Sequence, residues 1–97
     1  MSYEKEIVEK GLNAPRVTEA QIDECVVDEK YHVFPGTTTT VCCLTLRNGY
    51  SVIGESACAS WNNFNEELGR KIARDNARGK IWALEGYLLR SKLAREV

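Results

Sequence analysis

The sequence lacks most of the residue patterns that mark a reactive or metal-binding centre. It contains one histidine, His32, and none of its four cysteines is spaced as in a CxxC motif. Structural zinc sites and redox motifs need such clusters, so neither a metal nor a redox centre is predicted. A glycine-rich phosphate loop is also missing, because GKIWALEG lacks both the Walker spacing and a strand before it. These absences favour a protein that is not an enzyme and that needs no cofactor.

Long hydrophobic runs are absent as well. No stretch approaches the roughly 20 apolar residues that span a membrane. The N-terminal segment MSYEKEIVEK is charged from its start, unlike the apolar core of a signal peptide. The adjacent Cys42 and Cys43 would point to opposite faces of a strand, which favours reduced cysteines that pack as small apolar side chains. We therefore expect a cytosolic protein without membrane contact.

What is present is the composition of one globular domain, spanning residues 1–97. The chain is 43% hydrophobic and 28% charged with a net charge of -1, and its thin core would benefit from a partner subunit. Residues 1–30 carry eight acids and four bases, whereas residues 66–97 carry eight bases and five acids. The two regions either form solvated faces or pair within or between subunits. The absence of an overall basic excess argues against binding of duplex DNA.

Two short helices are predicted near the N-terminus. The first would end at Gly11 and Pro15. The second begins with the pattern of a capping box, in which Thr18 is the N-cap and Gln21 occupies the third helical position. It is predicted to run from about Glu19 to Cys25.

Three strand-like runs follow, at residues 30–34, 37–47 and 50–57. Pro35-Gly36 has the residue order of a type II turn. Asn48-Gly49 is the strongest short hairpin signal, typical of a two-residue turn. The runs predict a three-stranded antiparallel meander.

Two-residue turns would fix the pairing of the strands. Leu44 would then face Ile53, Cys42 would face Glu55, and Tyr31 would face Thr40. One sheet face would carry an apolar set with a carboxylate at its edge, namely Tyr31, Val33, Cys42, Leu44, Leu46, Ile53 and Glu55. A carboxylate there must be paired or hydrogen-bonded. The Glu55 carboxylate is therefore expected to bind a helix Arg or Lys, or to contact a ligand.

A long helix is predicted from Phe64 to about Leu93, with Asn63 and Glu66 as its capping pair. At 100° per residue, its apolar residues fall on two stripes, which implies two packing partners. The first stripe comprises Phe64, Leu68, Ile72, Gly79, Trp82, Gly86, Leu89 and Leu93. The second comprises Ala73, Ala77, Ile81, Leu84 and Leu88. The predicted fold is thus α+β, a three-stranded antiparallel meander packed against a long C-terminal helix, with short N-terminal helices.

The length of this helix raises a question of packing. About thirty residues extend roughly 45 Å, whereas a globule of this size has a radius of gyration of about 12 to 13 Å. The helix either bends at Gly79 or overhangs and is buried against another chain. Glycine costs roughly 1 kcal/mol relative to alanine in a helix interior, so Gly79 and Gly86 on one stripe indicate close approach of another backbone. We expect a homo-oligomer formed through the helix.

The block from residue 52 to residue 89 resembles a known family. The family consists of small tailed-phage proteins named after gene products forty-nine and sixty-six of two enterobacterial phages. The matching residues are Gly54-Glu55-Ser56, Phe64, Gly69, Ala73, Asn76-Ala77, Trp82 and Leu84-Glu85-Gly86-Tyr87-Leu88-Leu89. The resemblance implies a phage origin and expression in the host cytoplasm. It implies no particular biochemical activity.

Binding of a small anionic, nucleotide-derived ligand is the function we expect, by analogy with small phage proteins that sequester signals of host immunity. Such a site needs Arg or Lys for phosphates and an aromatic face for the base. The candidate ligand-binding residues are Arg78, Arg74, Lys80, Trp82, Tyr31, Arg47 and Glu55. Structural roles are the alternative, with Trp82 in the core and the two helix arginines on a solvated ridge.

Two further functions stay open. Inhibition of a host protein would use an exposed apolar surface, on the second helix stripe or on the outer sheet face. Single-stranded nucleic-acid binding would use the basic helix and nearby aromatic rings, and its affinity would fall steeply with salt. Catalysis is disfavoured because His32 lies on the sheet face opposite Glu55 and Cys42.

Overall fold

The structure is a computed structural model that describes residues 3–96. Its helices are α1 (Glu4–Glu9), α2 (Glu19–Cys25) and α3 (Glu66–Arg95), and its strands are β1 (Val26–Val33), β2 (Thr39–Leu46) and β3 (Ser51–Ala57). The strands form one antiparallel sheet in the order β1-β2-β3. Helix α3 packs across β2 and β3, and α2 lies beside α3. The predicted α+β architecture is confirmed.

Helix α2 begins with the predicted capping box. The Thr18 hydroxyl accepts a hydrogen bond from the Gln21 backbone N–H (3.2 Å), and the Gln21 side chain accepts one from the Thr18 N–H (2.9 Å). This reciprocal pair satisfies two backbone donors at the start of the helix. Val17 packs against the core cluster that contains the fully buried Ile22. The predicted bounds of α2 are confirmed.

The first hairpin contains the predicted type II turn but resumes its ladder later than expected. Gly36 has φ +77°, as the third residue of such a turn requires. The next ladder bond runs from the Phe34 N–H to the Thr39 carbonyl (3.2 Å). Tyr31 therefore pairs two residues further along β2 than predicted, with Cys42. A shift of two residues preserves the faces of β1.

The second hairpin is shifted by one residue. A two-residue type I′ turn would need positive φ at both Asn48 and Gly49, and only Gly49 has it (φ +88°). The Gly49 N–H bonds to the Leu46 carbonyl (2.9 Å), and the Leu46 N–H bonds to the Tyr50 carbonyl (2.8 Å). The loop therefore has three residues, in the pattern of a type I turn followed by a glycine bulge.

This odd shift reverses the two faces of β3. Leu44 pairs with Val52 instead of Ile53. Val52 and Gly54 are buried, whereas Ile53 is 52% exposed and Glu55 is exposed. The prediction of a carboxylate at the edge of the core was wrong, because side chains alternate with a period of two along a strand.

Helix α3 starts two residues later than predicted and does not break. Asn65 caps it by accepting a hydrogen bond from the Leu68 N–H (2.9 Å). The 30-residue helix continues through Gly79 to Arg95. The radius of gyration is 16.4 Å and the molecule measures 53 × 32 × 18 Å, well beyond the roughly 12 to 13 Å expected of a globule. The bend at Gly79 is excluded, and α3 overhangs the sheet.

The core lies between α3 and the sheet, and two glycines allow the close packing there. A Cβ added at Gly54 would overlap the backbone of Ala73 and Ala77, and one at Gly69 would lie 2.9 Å from the Thr40 hydroxyl. The buried apolar residues form one cluster, Ile22, Cys25, Cys42, Leu44, Leu46, Val52, Ala73, Ala77 and Ile81. The second predicted stripe is thus the one that the sheet covers.

The sheet ends before α3 does. Ile81 is fully buried, whereas Leu84 and Leu88 on the same stripe are exposed, Leu88 by 59%. On the other stripe, a Cβ built at Gly79 or Gly86 would meet nothing within 4 Å. No backbone among residues 3–96 makes the close approach that these two glycines predicted.

Candidate functional site

A cleft of about 500 Å³ lies between α3 and the segment formed by α1 and the linker after it. This volume falls in the range of small-molecule sites. Its lining residues are Tyr3, Glu4, Ile7, Arg16, Val17, Glu19, Asp75, Arg78, Gly79 and Trp82. Of the predicted ligand-binding residues, the cleft brings together Arg78 and Trp82.

The wall opposite α3 is fixed by one carboxylate. Glu4 accepts a hydrogen bond from the Glu19 backbone N–H (2.8 Å) and forms an ion pair with Arg16 (3.5 Å). The Glu19 N–H is one of the donors at the start of α2 that have no partner inside the helix. Glu4 therefore ties α1 to the start of α2 and sets the width of the cleft.

Arg78 and Trp82 stand one helical turn apart on the α3 side. The Arg78 guanidinium bonds to the Asp23 carboxylate (2.8 Å), and its side chain is only 17% exposed. Its Nε is buried and has no hydrogen-bond partner among the described residues. Trp82 is half-buried and packs against the core cluster. The indole therefore both packs against the core and lines the cleft.

The charges of the cleft are mixed. Its ionisable groups are Arg16, Arg78, Glu4, Glu19 and Asp75. Both arginines already have carboxylate partners, so an anion must share or displace them. The carboxylate that holds Arg78 belongs to Asp23, whose side chain is 60% exposed, so solvent screens this partner of the ion pair. A phosphate that bonds to guanidinium through two oxygens can compete with such a partner.

Arg74 and Tyr31 form a separate cluster around Glu29. Arg74 Nε bonds to one Glu29 oxygen at 2.7 Å, and the Tyr31 hydroxyl bonds to the other at 3.4 Å. The hydrogen bond to Glu29 raises the pKa of Arg74. Burial, with the neighbouring Cys42, raises the pKa of Tyr31 to about 12. This arrangement joins α3 to β1, and its carboxylate occupies the Arg74 guanidinium.

The other three predicted residues lie apart from the cleft and from each other. Lys80 is exposed on α3. Arg47 is exposed in the second hairpin loop, where its N–H bonds to the Cys25 carbonyl (2.9 Å). Glu55 is exposed on β3, and its backbone carbonyl accepts a hydrogen bond from the Asn76 side chain (2.8 Å). These residues do not converge on one ligand within a single chain.

The cysteines are all free, and two of them are buried. The Cys25 thiol donates to the Glu85 carboxylate (3.2 Å). Burial, followed by this hydrogen bond, raises the pKa of Cys25, and burial also raises the pKa of Cys42. Thiols with a raised pKa stay protonated and are poor nucleophiles. His32 packs edge-on against Phe34, with 4.7 Å between ring centroids. The prediction that His32 lies on the sheet face opposite Glu55 was wrong, because both residues pair with Val41 and therefore lie on one face.

The sequence did not single out Arg16 or Asp75 as lining residues. Arg16 lies in a linker without periodicity, and Asp75 looks like any solvated helix residue. One signal was available, because the capping box at Thr18 fixes the residue at which α2 starts. The start of α2 in turn limits where the residues before it, including Arg16, can pack. The contact between Glu4 and Glu19 across fifteen residues had no counterpart in the sequence pattern.

Comparison with known proteins places the chain in a family. Among residues 3–96 no helix is long and apolar enough to cross a membrane. No curated protein and no solved structure matches the chain. The sequence model of the phage protein (N4 Gp49/phage Sf6 gene 66) family matches residues 17–93, which covers α2, the whole sheet and nearly all of α3. The chain therefore belongs to the N4 Gp49/phage Sf6 gene 66 family of phage proteins.

Proposed function

We propose that this phage protein is a non-enzymatic binding protein that counteracts host defence by sequestering a small anionic, nucleotide-like signal. The observation that carries the proposal is the meeting of Arg78 and Trp82 in one cleft of about 500 Å³. An indole supplies a stacking surface for a base, and a guanidinium supplies paired donors for a phosphate. The volume suits one nucleotide unit better than a polymer.

The unpartnered Nε of Arg78 supports an anion at this position. A buried donor without a partner is costly, and Arg78 retains such a donor although its NH2 group already bonds to Asp23. A phosphate oxygen that reaches Nε would satisfy this donor while Asp23 swings outward. Arg16, at the opposite wall, would provide the second positive charge.

The test is a release experiment. The purified protein is incubated with lysate of cells whose nucleotide-signalling defence is active, re-isolated, denatured, and the released small molecules are identified by mass spectrometry. An intact nucleotide-like compound supports sequestration. A degraded compound overturns the non-enzymatic assignment, and release of nothing overturns sequestration.

Two variants localise the site. Arg78→Lys keeps the charge but removes the planar donor pair, so it should weaken ligand binding at least about tenfold, the equivalent of 1.4 kcal/mol. Lys80→Ala is the matched control, because Lys80 is exposed and does not line the cleft. In a Trp61→Phe background Trp82 is the remaining tryptophan, and its fluorescence reports occupancy directly. Equal affinity of Arg78→Lys and wild type would exclude the cleft.

Inhibition of a host protein is the second candidate, and the overhanging end of α3 favours it. Leu84, Tyr87 and Leu88 are exposed there, Tyr87 by 75%, and Lys80 and Lys92 flank them on the helix. A partner with an acidic rim around an apolar patch would fit this surface. A protein that co-purifies with wild type but is lost in Leu84→Ser/Leu88→Ser would favour this function over sequestration. Salt-sensitive recovery of single-stranded nucleic acid would favour the remaining alternative.

A further inference from the structure

One flank of α3 carries a repeat that the fold of a single chain does not use. Ile72, Gly79 and Gly86 follow each other at intervals of seven residues, and such positions drift by only about 20° per step around a helix. All three are exposed, Ile72 by 44%. Leu68, one turn before Ile72, is exposed on the same flank. The sheet covers another side of the helix, and the α1–α2 segment covers the side of Arg78 and Trp82.

The glycines on this flank have no explanation inside the described chain. Each costs roughly 1 kcal/mol of helix stability relative to alanine. At Gly54 and Gly69 close neighbours exclude a side chain, whereas a Cβ at Gly79 or Gly86 would meet nothing within 4 Å. A side chain would therefore fit at both positions, and it would stabilise the helix.

We propose that this flank is the interface of a two-fold symmetric homodimer, in which the α3 helices of two copies pack antiparallel and cross at Gly79. A two-fold axis at Gly79 sets Ile72 of one copy against Gly86 of the other, because these residues lie seven positions on either side of it. Each isoleucine fills the space that the facing glycine leaves open. The surface is thus complementary to itself, as a two-fold interface must be.

The opposite orientation packs poorly. In a parallel pair, Ile72 would face Ile72 and each glycine would face a glycine. Two isoleucines would hold the helices apart at one end of the contact, and voids would form where the glycines meet. Protein interiors do not tolerate such voids without loss of stability. The antiparallel arrangement alone alternates large and small residues along the contact.

The overhanging stripe of Leu84 and Leu88 is a weaker candidate for the dimer contact. Lys80, Lys92 and Arg95 surround it in the helical projection. A symmetric contact there would bring like charges of both copies together, which is unfavourable. The flank at Gly79 has no comparable accumulation of one charge.

The size of the contact sets the expected affinity. Residues 68–90 extend about 33 Å along the helix, and covering a third of the helix circumference over that length removes roughly 500 Å² per copy, or about 1,000 Å² in total. This is the lower limit of a specific interface. We expect a micromolar dissociation constant. Because Gly79 also lines the cleft, the second copy's helix passes along the rim of that site.

The test is sedimentation equilibrium of the full chain over a range of concentrations, with the tryptophans as chromophores. Wild type should dimerise reversibly, and Gly86→Ile should weaken dimerisation at least about tenfold by overfilling the space that Ile72 occupies. The double variant Ile72→Gly/Gly86→Ile exchanges the two sizes across the interface. It should restore the wild-type dissociation constant to within about threefold, or roughly 0.7 kcal/mol.

Glu67→Leu is the control, since Glu67 is exposed on a different flank of α3, and it should leave the dissociation constant unchanged. Circular dichroism confirms that each variant is folded, which is expected because the altered positions are open. A wild-type monomer at all concentrations overturns the proposal. So does a dimer that Gly86→Ile leaves intact, or one that the double variant fails to restore. No ligand takes part, so the result is independent of the proposed sequestration.

Discussion

Glycines play opposite roles in two regions of this molecule. Between α3 and the sheet, Gly54 and Gly69 allow contacts that a Cβ would prevent, since at Gly54 it would overlap the backbone of Ala73. On the outer flank of α3, Gly79 and Gly86 face open space. The sequence pattern predicted a close approach at Gly79 and Gly86, whereas within the described chain the crowded glycines are Gly54 and Gly69. The difference between the two pairs shows that a glycine in a helix or strand does not by itself indicate close packing. The structure must show which backbone or side chain lies beside it.

The same contrast holds along the stripe that faces the sheet. Ala73, Ala77 and Ile81 on this stripe are fully buried, whereas Leu84 and Leu88 are exposed. Strands of seven or eight residues extend only about 25 Å, whereas thirty helical residues extend about 45 Å. The last third of α3 therefore has no sheet beneath it.

The largest difference in stability should appear when one glycine of each region is replaced by alanine. Gly54→Ala forces a Cβ into the backbone of α3, so we expect a loss of about 3 kcal/mol or more in the free energy of unfolding. Gly79→Ala is the matched substitution, and in dilute solution it should stabilise the chain by up to about 1 kcal/mol. Urea denaturation measures both. A stable Gly54→Ala variant would contradict the close packing of α3 on β3.

A smaller difference should separate the two ends of the sheet-facing stripe. Ile81→Ala opens a cavity at a fully buried position and should cost about 2 to 4 kcal/mol. Leu88→Ala changes a side chain that is 59% exposed and should change stability by no more than about 0.5 kcal/mol. Thermal unfolding at low protein concentration compares them. A large loss of stability in Leu88→Ala would mean that the end of α3 beyond the sheet is covered by other residues.

The smallest effect concerns the link between α3 and β1, and it is confined to alkaline pH. Burial raises the pKa of Tyr31 from 10.0 to about 12, so between these values the folded chain holds a proton that the unfolded chain releases. Stability from this residue is complete below pH 10 and is lost as the pH rises towards 12. Tyr31→Phe should flatten this decline relative to wild type in urea titrations at pH 9 to 11.5. Parallel declines in both proteins would exclude Tyr31 as the cause.

Local patterns predicted the elements of the fold well. The capping box at Thr18 fixed the start of α2, and the apolar periodicity from Phe64 predicted a long helix that either bends at Gly79 or continues. The second hairpin was mispredicted because Asn48-Gly49 is compatible with two turn geometries. The choice between them shifts the ladder by one residue, which turned Glu55 and Ile53 outward.

The site was only partly predictable. Arg78 and Trp82 lie one turn apart on a helix, so their proximity follows from the sequence. Arg16 reaches the same cleft only because Glu4 holds α1 against the start of α2. Arg74 is occupied by Glu29, forty-five residues away in sequence, and no local pattern indicates such a pair.

Sequence alone determined the α+β class, the presence of a long C-terminal helix and the membership of the phage family, because these depend on periodicity, capping and motif residues that are local. Tertiary structure decided which stripe of α3 meets the sheet, which face of β3 is buried and which glycines are crowded. These outcomes depend on the register of one hairpin and on the unequal lengths of strand and helix. The physical reason is that periodicity specifies a face of an element, whereas only packing specifies what that face touches.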